Sequence, residues 1–144
     1  MSKFSLPKDH KAFKLSEEAA LAEVARILQF YSYDIDNVGS KAVQDQAEVS
    51  LEAITRAFRL GTLEIKDGAG MTIIQHLTNG EAFEFKEFRG DAKVQLDKVP
   101  GNETNRRMHT LLGFLAGIDA TAFQKLPLTD LAVSEALAFV FLSR

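Results

Sequence analysis

Residues 102–144 read NETNRRMHTLLGFLAGID, then ATAFQKL, then PLTDLAVSEALAFVFLSR, and no other stretch carries so strong a periodic pattern. Two groups of apolar residues recur here at the spacing of a helix with one buried face. The first group is Leu111, Leu112, Leu115 and Ile118, and the second is Leu131, Ala132, Leu137, Ala138 and Phe141. Asp119 can cap a short helix between them, and the Leu126-Pro127 corner separates that helix from the last one. The stretch therefore predicts a C-terminal helical region.

The composition is that of a soluble globular domain of ordinary size. The chain has 144 residues, 46% hydrophobic and 26% charged, which suits one domain, residues 1–144. The net charge of −3 argues against a dedicated nucleic-acid-binding protein, because such binding needs a concentrated basic surface. The absence of cysteine excludes disulfides, thiolate zinc sites and a cysteine nucleophile. No apolar run reaches the ~18 residues that a membrane span requires, and we expect a cytoplasmic protein.

Two helices are predicted between residues 16 and 60, after an N-terminal segment with no regular element. Residues 1–14 mix scattered lysines with Phe and Leu, and we expect an arm whose Phe residues touch the core; the alternative is a basic arm for an acidic partner. Ser16 can cap the first helix, and the second runs from Ser40 to Leu60. The apolar stripe of the first helix consists of Leu21, Val24, Leu28 and Tyr31, and that of the second of Val43, Ala47, Leu51, Ile54 and Phe58. These residues predict a helical hairpin.

The pattern changes to that of strands at Thr62. The segments TLEIK, MTIIQHL and AFEFKEF are short, rich in β-branched or aromatic residues, and separated by DGAG and TNGE turns. They predict a three-stranded antiparallel meander within residues 62–88. A helical region over residues 91–144 follows, beginning with a short helix from Ala92 to Val99 that Asp91 can cap. The C-terminal helices are the expected cover for one face of the sheet.

The best local match to a metal-binding motif is DIDNVG, residues 34–39. It resembles the opening of a calcium-binding EF-hand loop, with Asp34 and Asp36 at the first and third positions and Gly at the sixth. Val38 occupies the fifth position, where an oxygen ligand belongs, and Asp45 at the twelfth is shorter than the usual Glu. The three aspartates are therefore weak metal candidates, because a loop of this kind also caps helix ends without a metal.

No pattern of catalytic residues stands out. The three histidines have no second histidine at metal-ligand spacing, and the sequence contains neither HExxH nor GxSxG. An enzymatic or ligand-binding site would need residues that meet only in the fold. The candidates are His76, His109 and Arg107, converging on a pocket between the sheet and the helices.

The end of the chain is the other candidate site. The consecutive apolar residues from Phe139 to Leu142 cannot all face one side of a helix. Either the last helix is buried from several sides within the monomer, or part of it docks on another chain. The second interpretation predicts partner binding through Leu131, Leu137, Phe141 and Leu142.

A family resemblance points to the same residues. Short strands around an Asp-Gly turn lead to a helical region that ends in LPLTDLAVSEALAFVFL, residues 126–142. This arrangement resembles the small tail assembly chaperones of tailed bacteriophages and prophages, which often finish with a Leu-Pro-x-x-Asp corner and an apolar, Phe-containing helical turn. The resemblance covers roughly residues 62–142 and omits the hairpin at 16–60. It implies a non-enzymatic protein that coats the aggregation-prone tape-measure protein during tail assembly.

These observations predict an α+β domain with an N-terminal helical hairpin, a small three-stranded antiparallel sheet and C-terminal helices packed on that sheet. We expect a non-enzymatic interaction protein that binds a protein partner or a second copy of itself through apolar helical surface. No cofactor, nucleic acid or membrane is expected to take part. The alternative is a small-ligand-binding or enzymatic domain with a pocket between sheet and helices.

Overall fold

The computed structural model describes residues 13–34, 37, 39–68 and 70–143. Its helices and strands are α1 (Glu17–Phe30), α2 (Lys41–Arg59), β1 (Leu63–Lys66), β2 (Thr72–His76), β3 (Ala82–Phe85), α3 (Gly90–Leu96), α4 (Thr104–Ala116), a 3₁₀ helix (Ala120–Lys125) and α5 (Leu128–Leu142). Helices precede and follow a three-stranded sheet, so the predicted α+β fold is confirmed. Most of the predicted N-terminal arm, residues 1–12, lies outside the described residues.

The sheet is the predicted antiparallel meander, with the strand order β1-β2-β3. Ile65 pairs with Ile73, and Ile73 pairs with Phe85 in the next strand. Because successive side chains of a strand point to opposite faces, one face of the sheet is apolar and the other polar. The buried face carries Leu63, Ile73, Gln75 and Phe85, and exposed polar pairs on the other face join Glu64 to His76 and Lys66 to Glu84.

The helix starts follow the capping residues that the sequence supplies. The side-chain oxygen of Ser16 accepts a hydrogen bond from the Ala19 N–H at 3.1 Å, and Ser40 does the same for α2. Asp119 caps the 3₁₀ helix by accepting the Thr121 N–H at 2.9 Å. These caps occupy N–H groups that have no partner within their own helix. The caps Ser16 and Asp119 were predicted, whereas Ser40 was predicted as the start of α2 rather than as its cap.

The cap predicted for α3 is wrong. Helix α3 begins at Gly90, with Arg89 as the N-cap residue, and it ends at Leu96 rather than Val99. Asp91 lies inside the first turn, where its carboxylate accepts the Ala92 N–H at 2.9 Å. The helix thus begins two residues earlier than the sequence suggested. Asp91 still stabilises the helix, because an acidic side chain in the first turn interacts favourably with the positive end of the helix dipole.

The helices cover the apolar face of the sheet and enclose the core. Phe123 of the 3₁₀ helix is fully buried, and its ring lies 5.3 Å from that of Phe83 and 6.4 Å from that of Phe85. Helix α4 closely approaches the start of the 3₁₀ helix, because a Cβ added at Gly113 would lie 2.8 Å from the Ile118 carbonyl oxygen. Helix α5 packs against both α2 and α4. The predicted C-terminal cover of the sheet is therefore present.

A buried polar network joins α5 to the middle strand. The side-chain amide of Gln75 donates to the Asp130 carbonyl oxygen at 2.8 Å, and the Ser134 hydroxyl donates to the Gln75 side-chain oxygen at 2.5 Å. Gln75 and Ser134 are fully buried. The Asp130 carboxylate accepts the Thr78 hydroxyl at 2.9 Å, at the start of the turn that follows β2. These bonds satisfy buried polar atoms that would otherwise destabilise the fold.

Candidate functional site

The predicted partner-binding residues of α5 divide into two pairs. Leu137 and Phe141 are 1% and 3% exposed, whereas Leu131 and Leu142 are partly buried against the core. The Phe141 ring packs edge-on against the rings of Tyr31 and Phe88, so helix α1 and the segment after β3 surround the last turn of α5. Residues of the same chain therefore already bury Leu137 and Phe141. Only the other pair keeps surface for a partner, and binding there stays a prediction.

The metal candidates have partners of other kinds. The Asp34 carboxylate accepts a hydrogen bond from the Asn37 side chain at 2.6 Å, and Asp45 pairs with Lys41 at 2.7 Å. The pair with Asp45 raises the pKa of Lys41. Asp36 lies outside the described residues. Within the part of the chain that the structure describes, no three His, Cys, Asp or Glu side chains are grouped so that they could hold a metal ion.

His76, His109 and Arg107 do not share a cavity. The His76 ring nitrogen lies 2.8 Å from the Glu64 carboxylate on the outer face of the sheet. His109 contacts Glu135 between α4 and α5 at 3.0 Å and stacks on Phe123. Arg107 donates to the carbonyl oxygens of Leu96 and Val99 at 3.1 and 3.0 Å, which accounts for a basic residue near the start of α4. Each of the three side chains stabilises a different junction of the fold.

An apolar groove runs between α1 and α2. Its volume is about 470 Å³, and we call it the α1/α2 groove. The apolar residues along it are Leu21, Val24, Ala25, Leu28 and Leu51, and its rim carries Glu17, Glu52, Arg56 and Arg59. Leu21 is 50% exposed although it belongs to the predicted apolar stripe of α1. The apolar stripe of α1 was predicted from the sequence, but the exposure of Leu21 at its outer edge was not.

Phe13 closes one end of the α1/α2 groove. Its ring lies 3.9 Å from the Arg59 guanidinium carbon, within the range of a cation–π contact. The Leu15 N–H donates to the Arg59 carbonyl oxygen at 3.1 Å, and the Arg59 side chain donates back to the Leu15 carbonyl oxygen at 3.3 Å. The chain before α1 is thus fixed across the last turn of α2.

A second apolar groove lies on the opposite side of α2. Its volume is about 430 Å³, and it is bounded by α2, the end of the sheet and the first turns of α5; we call it the α2/α5 groove. The apolar residues along it are Ala53, Ala57, Leu60, Leu77, Ala132 and Val133. Thr129 and Asp130 belong to its α5 wall, within the stretch 126–142. Leu128, immediately before them, is 82% exposed.

The polar groups of the α2/α5 groove are held in place by hydrogen bonds to neighbouring residues. Asp130 is 3% exposed, and Thr78 donates to its carboxylate through both the backbone N–H and the hydroxyl. His76 reaches the groove but its ring nitrogen contacts Glu64. Thr62 lies beside this histidine, and its carbonyl oxygen accepts the His76 N–H at 2.7 Å. The groove therefore offers apolar walls with a few fixed polar groups, which is the usual make-up of a binding site.

Comparison with known proteins leaves the chain without an assigned family. No protein-family model matches it, and neither a curated protein nor a solved structure shows significant similarity to it. Among the described helices, none combines the length and the apolar character needed to cross a membrane. The grooves themselves are therefore the basis for assigning a function.

Proposed function

We propose that this chain is a non-enzymatic protein-interaction protein, and that it binds an apolar segment of a protein partner in the α2/α5 groove. The observation that carries the proposal is the open, apolar character of this groove beside the exposed Leu128. Exposed apolar surface in a folded monomer is a common feature of protein-binding sites. One wall of the groove comes from the stretch 126–142, on which the resemblance to tail assembly chaperones also rests.

A helical or extended apolar segment is the occupant that the groove suits best. Ala53 and Ala57 on α2 and Ala132 on α5 are small, so the backbone of a partner can approach both helices closely. Arg56 lies at the rim and can pair with an acidic residue beside the bound segment. This is helix-in-groove recognition, in which apolar anchors supply affinity and rim charges supply selectivity. The aggregation-prone tape-measure protein that the resemblance implies is the proposed client.

The test is coexpression with the tail tape-measure protein of the phage or prophage genome that encodes this chain. We expect the chain to raise the soluble fraction of the tape-measure protein and to copurify with it. Ala132→Arg fills the α2/α5 groove and should abolish both effects, whereas Ala22→Arg, on the exposed side of α1, should leave both unchanged. Equal behaviour of the two variants, with both folded by circular dichroism, would contradict the use of this groove. A genome without a tape-measure gene would refute the phage role.

A small-molecule site in the same groove is the second candidate. The volume of about 430 Å³ lies in the usual range for ligand pockets, and Thr78 and Asp130 supply polar groups that can orient a ligand. The chemical class that fits is an apolar molecule with one hydrogen-bond donor. Titrating such molecules in solution NMR should shift the amide signals of Ala57, Leu77 and Val133 if this candidate is correct. Signals that stay unshifted up to millimolar ligand would exclude it.

A further inference from the structure

The outward face of α2 carries a divided charge pattern. Asp45, Glu48 and Glu52 are followed at the same three- and four-residue spacing by Arg56 and Arg59 in the last turn. Side chains at this spacing share one side of a helix. The face is therefore acidic through its middle and basic at its end, and it borders the α1/α2 groove from Glu52 onwards.

Most acidic residues of this face form no ion pair with a residue that the structure describes. Asp45 pairs with Lys41, but neither Glu48 nor Glu52 forms an ion pair with a residue that the structure describes. Both glutamates are exposed. Arg56, which is also exposed, lies over the Phe13 ring at 5.6 Å from its centroid. Glu48, Glu52 and Arg56 are thus exposed on the same surface.

Apolar side chains lie directly beside these charges. Leu21 is half exposed, and Leu28 and Leu51 are only partly buried against the core. Covering them would bury apolar area at the centre of a contact, while the charges of α2 would form its rim. This is the arrangement of a helix–helix interface between two chains.

We propose that two copies of the chain pair through this hairpin face, with their α2 helices antiparallel and crossing near residue 54. In that alignment Glu52 of each copy lies opposite Arg56 of the other. A second copy is the fitting occupant because the face is complementary to itself, and a two-fold axis forms every contact twice. Leu21 and Leu51 of both copies fill the two α1/α2 grooves. This surface shares only Arg56 with the α2/α5 groove, and the inference does not depend on the proposed client.

The first test is the molar mass of the full chain by light scattering, from about 1 to 200 μM. We expect a mass that rises with concentration towards twice the 15.9 kDa of one chain. Leu21→Asp places a charge in the contact and should weaken dimerisation at least tenfold. Val94→Asp, at an equally exposed apolar residue on α3, should leave the dissociation constant unchanged. A native chain that stays monomeric at 200 μM, or a Leu21→Asp variant that still dimerises, would overturn the proposal.

A charge-swap cycle tests the alignment itself. Glu52→Arg and Arg56→Glu each place like charges opposite one another twice, and each should weaken dimerisation by about five- to tenfold. The double variant restores opposite charges across the interface and should dimerise within about threefold of the native chain. Losses that simply multiply in the double variant would refute the antiparallel alignment. Circular dichroism of each variant verifies that the fold is retained.

Discussion

Removing the Ser134 hydroxyl should destabilise the protein more than its size suggests. Ser134→Ala leaves the buried side-chain oxygen of Gln75 without the donor that lies 2.5 Å away. An unsatisfied buried acceptor costs about 1–3 kcal/mol, which is a large share of the roughly 5–15 kcal/mol that stabilises a typical domain. We therefore expect the free energy of unfolding to fall by about 2 kcal/mol and the melting temperature by roughly 4–8 °C.

The assay is urea unfolding monitored by far-UV circular dichroism. Intrinsic fluorescence would give a weak signal, because the chain has no Trp and only two Tyr. Thr55→Val is the matched control: its hydroxyl bonds only to the Leu51 carbonyl oxygen within its own helix, so its loss should change stability by less than about 0.5 kcal/mol. The double variant Gln75→Leu with Ser134→Ala replaces both polar partners by apolar groups. It should lose at least about 1 kcal/mol less than the sum of the single losses. Strict additivity, or a Ser134→Ala variant as stable as the native chain, would refute the reasoning.

Three further predictions concern other parts of the fold. Phe141→Asp puts a carboxylate at a position 3% exposed and should cost more than about 4 kcal/mol, leaving an unfolded chain by circular dichroism; a folded monomer would show that the last turn of α5 is not part of the core. Gly113→Ala drives a methyl group to 2.8 Å from the Ile118 carbonyl oxygen and should lower the melting temperature by several degrees, an effect that calorimetry would detect. The Thr121 N–H and hydroxyl lower the pKa of Asp119, so its capping contribution is complete above the ordinary carboxyl pKa and is lost as the pH falls through the folded-state value; the stability difference between the native chain and Asp119→Ala should therefore shrink from pH 5 to pH 2, and a constant difference would contradict the cap.

Local chemistry explains why most of the fold could be predicted. Ser16, Ser40 and Asp119 cap their helices through neighbours two or three residues away, so the sequence alone contains the necessary information. The strands alternate apolar and polar side chains, and their register follows from that alternation. The cap of α3 was predicted wrongly because the observed N-cap residue, Arg89, makes no side-chain capping bond and therefore has no capping signature in the sequence.

The candidate sites depended on contacts that the sequence does not encode locally. Leu21 and Val24 both belong to the apolar stripe of α1, yet of these two only Val24 is buried, because no helix or strand that the structure describes covers the outer edge of the hairpin. Phe141 is an aromatic residue of the kind that often anchors interfaces, but the ring of Tyr31, which is distant in sequence, packs against it. The interhelical distances that open the two grooves arise from tertiary packing alone. The apolar stripe was the available signal, and the sequence does not show which part of that stripe stays exposed in the fold.

The buried Gln75 also restricts which alternative pairings of the sheet are possible. If β2 slipped by one residue against its neighbours, all of its side chains would move to the opposite face of the sheet. Such a slip would turn the amide outwards, leave the Ser134 hydroxyl without its acceptor, and bring His76 towards the apolar layer. A purely aliphatic strand would penalise the same error less, since one apolar side chain can replace another. The polar side chain therefore makes misaligned sheets unfavourable during folding, when the short strands of this meander have few other contacts that distinguish one alignment from the next.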